Sequence, residues 1–365
     1  MSEELEEGVS KLISQRQAIC QFEEYVDKRK KGLIPQYKTC YNNINEAAGG
    51  SFEPNTMLVI AGMSGSGKST MSKRIIYSIN ENVKSLGKEV VTICFNYEML
   101  ALKTIGREVA NIAKKTVGTL YSSKEELPDE DMEKLSRYWT TKLLKYDINY
   151  VEEPGTHSSI KKTIYYYWKK FCKEAGKLDK LLIVEIDHTL LIKSHTMSGN
   201  AEKEKIDKLM EDLISIKKKI AAEGGLIFII VISQLNRDIE SNDRRIPNNQ
   251  APKTSDLMQS SSIMFGTDYL IIGHQPAKLG FDTYTQNKYP TWIYSDNGPN
   301  KKRLNFIYYH FLKNRDGEPN LICPMIGNMK YFEFVEVAGE SLKKYVTDLE
   351  SGPIYLEAPE KKLII

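Results

Sequence analysis

The chain has 365 residues, 41% of them hydrophobic and 27% charged, with a formal net charge of +3. That length allows one to three domains of ordinary globular composition, and so mild a charge neither requires nor excludes nucleic acid as a partner. The five cysteines (Cys20, Cys40, Cys94, Cys172, Cys323) include no C-x-x-C, the histidines have no metal spacing, no apolar run reaches membrane-spanning length and the acidic start is unlike a signal peptide. A zinc site, a disulfide framework and a membrane span are therefore not expected, and a reducing cytosol is the predicted location.

In chain order, residues 1 to 31 carry Leu5, Val9, Leu12, Ile13, Ile19, Phe22 and Val26 at roughly helical spacing and end in a basic run from Lys28 to Lys31. They read as a short amphipathic helix whose stripe must pack on its own domain or on a neighbouring subunit. From 32 to 336 apolar runs alternate with helical stretches, which predicts an α/β domain on a mostly parallel sheet. Strands are expected at Met57–Ala61, Val90–Phe95, Ile148–Val151, Leu181–Ile186, Ile227–Ile232 and Tyr269–Ile272. Helices are expected at Leu100–Lys115, Asp129–Leu144, Ser159–Ala175 and Lys203–Ala222. Leu304–Leu312, Leu321–Ile326 and Tyr331–Glu336 read as an antiparallel edge, with Arg315-Asp-Gly317 turning between the first two. The polar stretches Asn236–Ser255 and Gln275–Lys302 read as loops, and 337 to 365 as a C-terminal extension.

The chemistry begins at Gly62-Met-Ser-Gly-Ser-Gly-Lys-Ser-Thr70, between the first strand and a helix-compatible segment. Gly62, Ser64, Gly65, Ser66, Gly67, Lys68, Ser69 and Thr70 fit the phosphate-binding loop in full. Glycines let consecutive N–H groups curl around phosphate at a helix N-terminus; Lys68 then reaches the β and γ phosphates, and the Ser69 hydroxyl ligates Mg²⁺. ATP or GTP is the expected ligand, with Mg²⁺.

In an open α/β sheet, ligands sit beyond the carboxyl ends of the strands. Asp187 ends the run Leu181–Ile186 and has the placement of a magnesium-supporting acid, whereas Glu185, inside the strand, is expected on its other side. Glu98 follows Phe95-Asn-Tyr, on a strand expected beside that of the phosphate loop, and is the candidate base for the attacking water. Gln234, after Ile232-Ser233, is placed to touch the γ phosphate and report its loss to the loop that follows.

Taken together, "GMSGSGKST", "FNYEM", "LLIVEIDHTLLI", "VISQLNRDIE", "SDLMQSSSI" and "FLKNRDG", in this order, resemble the DnaB-type replicative helicases over roughly residues 26 to 336. The resemblance implies a RecA fold, a hexameric ring, ATP hydrolysis at subunit interfaces and movement on single-stranded DNA at a replication fork, with a primase or loader as partner. It implies that Lys313 and Arg315 enter the neighbour's ATP site. It also implies DNA-gripping loops, for which Arg237, Arg244, Arg245 and Lys253 suit a grip on the phosphate backbone and Gln259, Ser260 and Ser261 offer main-chain donors. Met258 stands where the family carries arginine, and Asp187-His-Thr-Leu replaces its aspartate-tyrosine-leucine-glutamine. About thirty residues stand ahead of the domain where cellular members carry a helical collar, which suggests a compact viral or mobile-element helicase, in a bacterial or phage-infected host. A non-unwinding DNA-dependent or regulatory RecA-type ATPase is the alternative reading.

Overall fold

A computed structural model describes residues 12–34, 36–122, 128–187, 189–193, 201–258 and 260–356. The chain divides into two units, residues 1–36 and 37–365. Within the first, α1 (Gln15–Lys30) starts at a capping box: Ser14 Oγ accepts from Gln17 N (3.2 Å), and Ser14 N donates to Gln17 Oε1 (2.9 Å). Lys28, Arg29 and Lys30 close it on the dipole's negative end. None of its residues is buried, and Ile19 and Phe22 are exposed. Leu5 and Val9, from the same expected stripe, lie outside the described residues.

The second unit runs α2 (Asn42–Ala47), β1 (Thr56–Gly62), α3 (Lys68–Ser85), β2 (Val90–Asn96), α4 (Ala101–Ala113), α5 (Val117–Leu120), α6 (Asp129–Thr141), β3 (Ile148–Val151), α7 (His157–Trp168), β4 (Leu181–Asp187), α8 (Ala201–Ala222), β5 (Leu226–Gln234), α9 (Ser260–Gly266) and β6 (Tyr269–His274). It continues through β7 (Thr283–Tyr284), β8 (Tyr289–Pro290), β9 (Trp292–Tyr294), β10 (Arg303–Asn314), β11 (Leu321–Asn328), β12 (Glu333–Glu336) and α10 (Gly339–Leu349).

Ten strands form one sheet in the order β12-β11-β10-β6-β1-β5-β4-β2-β3, with β9 on the free part of β10. The pairings from β6 to β3 are parallel, and those of β9 to β12 are antiparallel. Every residue of β1 is buried, as a parallel strand with layers on both faces requires. Side chains alternate between the layers. Met57, Val59 and Ala61 pack with Ile160 and Trp168 of α7 and Leu209 and Leu213 of α8, while Leu58 and Ile60 pack with Met71, Ile75 and Ile79 of α3. A third cluster joins Phe306 and Tyr308 of β10 to Leu342 and Tyr345 of α10.

The six expected parallel strands are present, each within two residues of its expected ends. Two expectations are corrected. β5 and β4 stand between β1 and β2, so the Glu98 strand is not beside that of the phosphate loop. The stretch Gln275–Lys302 is not a bare loop either: it holds a tight turn at Pro276–Leu279, the β7–β8 ribbon and β9.

Candidate functional site

The loop after β1 needs its glycines. A Cβ on Gly62 would lie 2.5 Å from Ser66 Oγ and 2.8 Å from the Gly273 carbonyl, and Gly65 and Gly67 have φ of +67° and +85°. The left-handed turn at Gly67 starts α3 at Lys68, so its first N–H groups point into the loop. Lys68 Nζ donates to the carbonyls of Gly62 and Met63, 2.9 Å each. Burial lowers its pKa to about 8, and the carboxylates of Asp187 and Glu98 work against that shift.

A cleft of about 360 Å³ opens here, lined by Ser64, Gly65, Gly67, Lys68, Ser69, Thr70, Glu98, Asp187 and Gln234. Three strand ends separated in sequence thus meet at one loop, and Glu98 reaches it although two strands intervene. Asp187 is 6% exposed. Burial and then the Glu185 carboxylate push its pKa up to about 6, while a hydrogen bond from Ser69 and the charge of Lys73 oppose them. Its Oδ1 is buried without a hydrogen-bond partner. An orphaned carboxylate oxygen beside a serine hydroxyl fits Mg²⁺, which takes one or two protein ligands and completes its shell with phosphate and water. No cluster of three His, Cys, Asp or Glu able to hold a metal occurs among the described residues.

Glu185 does not face away. Two residues before Asp187, it shares that acid's face, is fully buried and pairs with Lys73, while Ser72 Oγ donates to its Oε1 at 2.6 Å. Lys73 also donates to Asn96 Oδ1 (3.3 Å), and Asn96 Nδ2 to Thr104 Oγ1 (3.1 Å), so one lysine ties α3, β4 and β2 together.

Sequence reasoning missed the far wall, which Met99, Arg107, Met329 and Phe332 supply. The Arg107 guanidinium lies over the Phe332 ring at 5.3 Å, and Asn111 Nδ2 holds the Tyr331 and Phe332 carbonyls at 2.8 and 3.2 Å. Phe332 has φ +50°, a strained value for an aromatic residue at the tip of the β11–β12 turn. No local pattern announces this wall, because α4 meets that turn only through the fold.

Gln234 ends β5, and its carbonyl accepts from Met258 N at 3.1 Å; one step on, Asn236 N donates to the Asp256 carbonyl at 2.7 Å. The cleft is thereby tied by backbone to the expected DNA segment. In that segment Arg237, Arg245 and Lys253 are exposed, but Arg244 is not a free cation. Its fork grips both oxygens of Asp256 (2.9 and 2.7 Å) and the Ala251 carbonyl (2.7 Å). Gln259 and His188 lie outside the described residues, and Ser260 and Ser261 open α9.

Lys313 and Arg315 stand elsewhere. Lys313 pairs with Leu270 and Asn314 with Tyr269, at the start of β6, whereas the phosphate loop leaves the far end, where Gly62 pairs with Gly273. About 20 Å of strand lies between, beyond the reach of an arginine. Lys313 Nζ donates to the Met264 carbonyl. Arg315 is 53% exposed, 3.3 Å from Asp268 Oδ1, with Nη2 donating to the Phe265 carbonyl at 3.5 Å.

Sheet, loop and paired acids define a P-loop nucleotide-binding protein with a RecA-like core. The family model for the DnaB-like helicase C terminal domain matches residues 37–323, and the chain belongs to that family. The solved ATPase domain of another DnaB-like helicase superposes with a TM-score of 0.68 at 17% identity, covering 90% of this chain and 100% of that one. A DnaB-like replicative helicase, described with its interactions with primase, superposes at 0.66 and 17% identity, covering 89% of this chain and 69% of that one. At such identity the likeness is one of fold. No curated protein sequence matches the chain.

Proposed function

We propose that the chain is an ATP-driven DNA helicase motor whose catalytic pocket is completed between two copies. The carrying observation is the separation within one chain: phosphate loop, Ser69, Asp187 and Glu98 gather at one end of the sheet, and Lys313 and Arg315 stand at the other. One copy holds the triphosphate with Lys68 and the loop amides. Glu98 orients and deprotonates the attacking water, and the neighbour's Arg315 meets the charge on the transferring phosphoryl group. Ser69 and Asp187 would hold Mg²⁺, which supplies charge neutralisation on the β and γ oxygens. The base would lie beyond Thr70 toward Met99, Arg107 and Phe332, where an aromatic face and a guanidinium offer stacking. Loss of the γ phosphate would be felt by Gln234 and passed along its backbone bonds to Met258 and Asp256, shifting loops that grip single-stranded DNA through Arg237, Arg245, Lys253 and the amides of Gln259 to Ser261.

In this reading α1 docks on a neighbouring copy, a closed assembly of six is the expected form, and a primase or loader acts beside it in a bacterial or phage-infected host cytosol. Unwinding of a forked duplex with ATP tests the motor. Strong DNA-stimulated ATPase without unwinding would move the chain to the second reading, a DNA-dependent ATPase. That reading is favoured by Met258 in place of a family arginine and by Arg244, whose charge is held by Asp256.

A further inference from the structure

Beside β1 stands β6, and the chain leaving β6 turns over the phosphate loop. Pro276 opens the turn and Gly280 closes it at φ +70°. From this turn Lys278 sends its Nζ to the Gly65 carbonyl; a Cβ on Gly65 would lie 2.9 Å from that nitrogen. Lys68 likewise donates to the carbonyls of Gly62 and Met63. Two ammonium groups converge on one loop, and no carboxylate pairs with Lys278 among the described residues. Burial lowers the pKa of Lys278, and its charge adds to the depression of Lys68, so each pushes the other toward neutrality.

We infer that Lys278 is a second phosphate-binding residue supplied in cis, which takes the terminal phosphate of a nucleoside triphosphate seated in the loop. This rests on the nucleotide reading above. A carbonyl oxygen is a neutral acceptor, whereas a hydrogen bond to a phosphate oxygen is charge-assisted and roughly twice as strong. An anion between the two lysines also removes their repulsion. The start of α3 cradles the inner phosphates, which leaves the outermost one toward the crown of the loop at Ser64 and Gly65, where Lys278 reaches. Its work differs from that of Arg315. A cation from the same chain acts on triphosphate binding before any neighbour docks, whereas one from the neighbour acts on turnover.

Dissociation constants for fluorescent ATP and ADP derivatives with Mg²⁺ test this in the full chain, with Lys278→Ala, Lys278→Arg and, as reference, Lys68→Ala. Lys278→Ala is expected to weaken the triphosphate by about tenfold or more, the worth of one hydrogen bond between charged groups, with little effect on the diphosphate. Lys278→Arg is expected to restore most of the loss. Equal weakening of both nucleotides would make Lys278 a tie that merely shapes the loop, and no change would remove its role; either overturns the inference. An unsubstituted chain that binds neither nucleotide would overturn the nucleotide reading, and this inference with it.

Discussion

Lys73 and Glu185 show what one buried charge can hold in place. Glu185 has no solvent access, and its partners are Lys73 and Ser72, so removing the lysine strands a carboxylate inside the sheet. Lys73→Met should cost about 3–5 kcal/mol in denaturant unfolding, and adding Glu185→Leu should return most of it, because a well-packed apolar pair replaces a desolvated ionic one. If the double variant is no better than the single one, the charge is not the cause. His274 and His310 make a second case at this scale. They share the Tyr284 hydroxyl, at 3.0 Å from His274 Nδ1 and 2.8 Å from His310 Nε2, and burial pushes both pKa values down to about 3. Each stays neutral in the fold while the unfolded chain takes up a proton near its ordinary value of about 6.5. The stability is thus complete above that pH and is lost as pH falls toward 3, by up to roughly 1.4 kcal/mol per unit for each histidine. Unfolding at about pH 7, 6 and 5 checks this, and His310→Gln should flatten the slope by about one proton.

Elements were legible wherever local chemistry decided them. β1, β2 and β4 are buried along their whole length, so each reads as an uninterrupted apolar run; the glycines of the loop are forced by positive φ and close contacts, so the motif is visible in full. Strand order was not legible, because a parallel crossover places no constraint on how many strands it passes. The wall made by Arg107 and Phe332 and the turn bearing Lys278 were hidden for a related reason. Each becomes functional only by meeting a remote segment: Asn111 and Tyr331 are 220 residues apart, and Lys278 and Gly65 are 213. The Arg244–Asp256 fork shows the same limit, since both side chains looked available as sequence. It also gives a prediction. Arg245→Ala, which removes an exposed cation, should lower the salt slope of single-stranded DNA binding by about one; Arg244→Ala should instead destabilise the segment by roughly 3 kcal/mol, leaving Asp256 buried without its partner. For α1, with no buried residue of its own, Ile19→Ser with Phe22→Ser should shrink the assembly seen by sedimentation while leaving the far-ultraviolet circular dichroism of the main unit intact. An unchanged mass would assign the apolar stripe to some other use.

At the scale of the whole molecule the divided pocket makes a mixing experiment decisive. Arg315→Ala copies retain Glu98, and Glu98→Gln copies retain Arg315, so a mixture contains interfaces in which an intact base faces an intact cation. ATPase activity of the mixture should exceed that of either variant alone. Activity no greater than the average of the two would argue that each chain hydrolyses nucleotide with its own residues.

The placement of phosphate loop and cation pair at opposite ends of one sheet also dictates how copies count. Each protomer has a receiving end and a giving end that are unlike, so association is head-to-tail and heterologous rather than two-fold. A row of n protomers left open then holds n−1 finished pockets, with one lone receiver at a terminus, and only the closure of last onto first completes the final one. Letting a strand enter by parting a single seam would therefore silence one active site and spare the rest.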